Sequence, residues 1–150
     1  MSKMSVNFLL KKLKDTNASD EIDETLQKIL KLSSQNIDEV ISTAIEDIKV
    51  NNYDGSKWST LAFSIINSFK EYEKGGEILK ALVDSDPENP AYLNNLGVNY
   101  LQKQELGNAL ECFVRAFGID YKFRGFKTAS ELPAWKNVSL IIELLNKNNK

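Results

Sequence analysis

The sequence predicts an all-α chain of about eight helices. Three observations point there. Apolar residues recur at i, i+3, i+4 and i+7 in segment after segment, the spacing of one helix face. No segment holds a convincing period-two alternation. Stretches about 34 residues apart share a pattern of small and large apolar residues, the mark of a helical repeat.

The elements follow in order. Val6, Leu9, Leu10 and Leu13 form a short amphipathic stripe. Ser19-Asp20-Glu21-Ile22 reads as a helix start, with Ser19 as N-cap and acids in the first turn. Ile22, Leu26, Ile29 and Leu30 continue it, and Ser33-Ser34-Gln35-Asn36 breaks the pattern. Ile37, Val40, Ile41, Ala44, Ile45 and Ile48 form the most regular stripe, and the next helix opens after Gly55 with Trp58, Leu61, Ile65 and Phe69. Asp86-Pro87 ends a helix, since proline lacks the N–H and restricts the residue before it. Leu93, Leu96, Gly97 and Tyr100 share one face of the following helix; Leu106, Ala109, Leu110, Phe113 and Ala116 share one face of its partner. Gly97 and Ala109 are small enough to let two helices approach, with Tyr100 and Phe113 beside the contact. Trp135, Val138, Ser139 and Ile142 begin a last helix, completed by Ile141, Leu144 and Leu145.

Leu96-Gly97, Tyr100 three residues on, and then Ala109-x3-Phe113 with Ala116 resemble the core of a tetratricopeptide (TPR) repeat. The resemblance implies antiparallel helix pairs stacked as a short right-handed solenoid within a single domain over 1–150. Its parts would be divergent N-terminal helices (1–55), a degenerate repeat (56–89), the best-matched repeat (90–121), an inserted loop (122–132) and a capping helix (133–150). In the degenerate repeat Phe63 stands where the glycine belongs, so that pair is expected to pack less tightly or in a shifted register.

The family's activity is adhesion in a groove lined by the first helix of each pair. By that geometry the partner-binding positions are Thr60, Ser64 and Asn67; then Asn94, Asn95, Val98 and Leu101; then Lys136 and Leu140 in the cap. The lysines and second asparagine of the family's carboxylate clamp are absent, because Thr60 and Ser64 occupy their places. A second candidate surface is the inserted loop, where Lys122, Phe123, Arg124, Phe126 and Lys127 follow Tyr121. Such a set can anchor a protein partner, stack on single-stranded nucleic acid, or tuck its rings onto the helices. The N-terminal helices could instead serve self-association.

Composition narrows the function. Up to Pro90 the chain carries 16 acidic and 11 basic residues; beyond it, 5 and 8. There is no His and one Cys, Cys112, which removes the commonest general base, any intrachain disulfide and the usual zinc clusters. Lys74-Gly75-Gly76-Glu77 lacks the spacing and ending of a phosphate loop. The expectation is a non-catalytic interaction protein without metal or cofactor, cytoplasmic and not membrane-bound, binding a protein or peptide.

Overall fold

The computed structural model describes residues 3–50, 55–125 and 133–148, and these are helical apart from short connections. Seven helices are present among the described residues: α1 (Lys3–Asp15), α2 (Ser19–Val50), α3 (Ser56–Phe69), α4 (Tyr72–Ser85), α5 (Pro90–Gln102), α6 (Leu106–Arg124) and α7 (Pro133–Asn148). Two of the eight expected helices run together as α2, joined across a kink at the Ser33–Asn36 break. There Asn36 leaves helical geometry (φ −139°, ψ 49°). Ser33 Oγ donates to the Ile29 carbonyl at 2.8 Å and Ser34 Oγ to the Lys31 carbonyl at 2.7 Å, a form of back-bonding that bends helices. No described helix is long and apolar enough to cross a membrane.

The chain forms two compact units, Met1–Ser85 and Asp86–Lys150. In the first, α1 packs on α2, and α2, α3 and α4 pack mutually around Ile29, Val40, Ala44, Trp58, Leu61, Ile65 and Leu79. Polar contacts fasten the helices to one another. Lys57 Nζ donates to the carbonyls of Lys14 and Thr16, placing a cation at the C-terminal end of α1 where the helix dipole favours it. Lys74 pairs with Asp38 at 3.0 Å, joining α4 to α2, and this hydrogen bond raises the lysine's pKa.

The second unit is α5, α6 and α7 around Ala109, Phe113, Val138 and Ile141. Asn89 caps α5, its Oδ1 accepting the Tyr92 N–H at 3.2 Å, and Pro90 occupies the first turn where no N–H is needed. Gly97 lies directly under the Phe113 ring. A Cβ added there would sit 2.5 Å from Cε1, so the glycine admits the ring.

The two units contain the same hairpin at a fixed offset. Ser56 and Pro90 open α3 and α5, Tyr72 and Leu106 open α4 and α6, and each pair is 34 residues apart. Lys70 (φ 57°) and Gln104 (φ 63°), again 34 apart, are left-handed residues at the matching turns. Burial follows the same offset at Trp58/Tyr92, Ala62/Leu96, Gly75/Ala109, Leu79/Phe113 and Leu82/Ala116. The pairs differ in which helix carries the close approach. In α3/α4 it is Gly75: an added Cβ would stand 2.4 Å from Ile66 Cγ1 and 3.0 Å from the Ala62 carbonyl oxygen. The glycine of this pair thus stands on the second helix, and α3 and α4 meet less extensively than α5 and α6.

Candidate functional site

In the second unit, a pocket of about 250 Å³ opens between the start of α5, the end of α6 and the start of α7. Its walls are Pro90, Ala91, Asn94 and Asn95 from α5, Asp120 and Arg124 from α6, and Ala134 from α7. The N-cap at Asn89 fixes where α5 begins and so presents Asn94 and Asn95 together, one turn in. Asn94 Oδ1 accepts a hydrogen bond from Asn137 Nδ2 at 3.0 Å, which orients its amide and leaves its N–H donors for a ligand.

The far wall exists because α6 is longer than its counterpart. Offset by 34 residues, the α4 terminus at Ser85 corresponds to Ile119, yet α6 runs on to Arg124. Pro87 follows α4, whereas Tyr121 holds that place after the offset and does not stop a helix. Gly125 ends α6 instead, with φ 83° and its N–H bonded to the Tyr121 carbonyl. The inserted loop expected over 122–132 is thus corrected in its first part: Lys122, Phe123 and Arg124 form the last turn of α6. Phe126 and Lys127 lie outside the described residues.

Of the residues expected to bind a partner, Asn94, Asn95 and Arg124 meet in this pocket. Val98 and Leu101 are half-buried against the Ala109–Phe113–Val138–Ile141 core. Lys136 and Leu140 are exposed on α7. Thr60, Ser64 and Asn67 lie on α3 in the first unit, with the Thr60 hydroxyl donating to the Ser56 carbonyl at 3.0 Å. Asp120, Ala91, Ala134 and Asn137 were not anticipated. Asp120 and Arg124 become a site pair at i, i+4 only once α6 is carried past Tyr121.

The set offers amide donors and acceptors and one charge of each sign. The volume falls just under the roughly 300–1,000 Å³ of small-molecule pockets, a size suited to one or two side chains of a peptide. Cys112 lies away from it in the α6 core, where burial pushes the thiol up to about 11. Among the described residues no group of His, Cys, Asp and Glu is arranged to hold a metal ion. Comparison with protein-family models, curated proteins and solved structures finds no match to this chain.

Proposed function

We propose that this chain is a non-catalytic interaction protein of the TPR-like class, whose helix pairs stack as a right-handed solenoid, and that it binds a protein or peptide segment in the cytoplasm. The 34-residue hairpin repeat supports the class. The observation that carries the function is the meeting of Asn94, Asn95, Asp120 and Arg124 in one pocket. Paired amides match the alternating donors and acceptors of an extended backbone, while Asp120 and Arg124 select polar or charged side chains. Catalysis has little to work with: there is no histidine, and the one thiol is held protonated.

The test compares tagged wild type with the Asn94→Ala, Asn95→Ala double variant. Partners captured by the wild type are identified by mass spectrometry, and the affinity of a purified partner is then measured for both proteins. Groove hydrogen bonds contribute about 0.5–1.5 kcal/mol each, so a loss of several-fold to about a hundredfold is expected, with helicity retained and melting lowered only by the lost Asn137–Asn94 bond. Equal affinity for both proteins moves the site elsewhere.

A further inference from the structure

The apolar face shared by α6 and α7 repeats a surface that is covered elsewhere in the chain. Trp135, Val138, Ser139 and Ile142 on α7 have the spacing of Leu93, Leu96, Gly97 and Tyr100 on α5. On α5, α6 closes over this row: Gly97 is buried beneath Phe113, and Tyr100 is half-buried against the core. On α3, α4 does the same, with Gly75 against Ile66, the residue 34 before Tyr100. On α7 the matching positions are open. Ser139 is exposed and Ile142 is 48% exposed. No second helix covers α7 among the described residues.

The open row continues onto α6. Phe117 packs against Trp135 with ring centroids 5.0 Å apart, and against Tyr121 at 6.2 Å. Val114, Phe117 and Tyr121 share a helix face by the i, i+3, i+7 rule, and Val114 and Tyr121 are each about half exposed. A Cβ added at Gly118, between them, would touch nothing, so the strip is unobstructed. Its length is two helical turns on each helix, about 10 Å. Charges border it unevenly. Lys122 and Lys136 are exposed near the Tyr121–Trp135 end, and Glu111 and Glu143, with Arg115 beside Val114, near the Ile142 end.

We propose that this strip receives one amphipathic helix from another protein, seated on α7 as α6 is seated on α5. The occupant carries apolar residues at i, i+3 or i+4, and i+7. Its acidic end lies over Lys122 and Lys136, and its basic end over Glu111 and Glu143. Glu111 and Glu143 on its border repel a phosphate backbone, which favours a helix of mixed charge over single-stranded nucleic acid. The inference draws on residues that do not line the Asn94–Asn95 pocket.

A displayed library of 16-residue helical peptides, selected on the full chain, provides the probe. Trp135 fluorescence in a Trp58→Phe background then measures affinity. Selected peptides should show helical apolar spacing with acids and bases segregated to opposite ends. Ile142→Glu should weaken them at least tenfold, Lys122→Glu with Lys136→Glu should weaken them several-fold, and Asn94→Ala with Asn95→Ala should leave them unchanged. Selection of peptides without that pattern, or binding indifferent to Ile142→Glu in a variant of unchanged circular dichroism, would overturn the proposal. So would a dimer of the free chain that Ile142→Glu dissociates, since the occupant would then be a second copy.

Discussion

At the scale of single residues, glycines separate close contact from mere helix weakening. Gly97 and Gly118 both sit inside helices, where glycine is about 1 kcal/mol worse than alanine. Their surroundings are opposite. A Cβ at Gly97 meets three atoms of the fully buried Phe113 ring within 2.9 Å, whereas one at Gly118 meets nothing within 4 Å. The ring cannot yield, because Ala109, Val138 and Ile141 pack around it. Gly97→Leu is therefore expected to cost roughly 1–3 kcal/mol or more through overpacking, while Gly118→Ala should stabilise by up to about 1 kcal/mol. Urea denaturation of the two variants checks both signs. A neutral Gly97→Leu would remove the basis for the α5/α6 contact.

At the scale of elements, the turn between α5 and α6 explains how the hairpin is reset. The Glu105 N–H bonds the Tyr100 carbonyl at 2.9 Å and the Gln104 N–H bonds the Leu101 carbonyl at 3.0 Å, the paired bonds of a Schellman motif. Gln104 holds the left-handed position, at φ 63°, where an L side chain costs about 1–2 kcal/mol. Gln104→Gly relieves that cost but loosens the unfolded chain by about 0.4–1 kcal/mol. A small net gain, on the order of 0.5 kcal/mol, is the expected outcome. Gln104→Val should instead destabilise by more than 1 kcal/mol, because a β-branched residue is a poor fit there. Thermal melts of both variants test the assignment, and equal melting temperatures would contradict it. Neither Lys70 nor Gln104 carries this geometry in its residue type, so the shared turn was not legible in the sequence. The helices themselves were, because their stripes are long. The end of α6 was misread for a physical reason: Tyr121, Lys122, Phe123 and Arg124 suggest a contact loop by composition, yet nothing among them stops a helix before Gly125.

At the scale of the whole molecule, the same contrast runs through fold and site. Repeat period, helix class and the pairing of α5 with α6 depend on spacing, which a sequence displays directly. The pocket depends on where three helices begin and end, and of its lining the sequence singles out only Asn94, Asn95 and Arg124. Val98 and Leu101 are half-buried against a core, and spacing alone does not tell a helix face that meets a groove from one that meets a neighbouring helix. Global stability should carry one readable consequence of that core. Cys112 is the sole cysteine of the chain, buried on α6, with its pKa raised by desolvation from 9.0 to about 11. The folded chain therefore keeps the thiol proton after the unfolded chain has released it. Stability falls wherever the native state binds more protons than the unfolded state. Below pH 9 both states hold the proton and the thiol adds no slope. Between pH 9 and 11 it should reduce stability by up to about 1.4 kcal/mol per pH unit. Cys112→Ala keeps every other titrating group, so the difference in unfolding free energy between wild type and variant isolates the effect. That difference should be constant up to pH 8.5, then move against the wild type as pH rises. A difference that stayed flat to pH 11 would mean that the thiol ionises as readily in the folded chain as in the unfolded one, and that α6 is not closed over it.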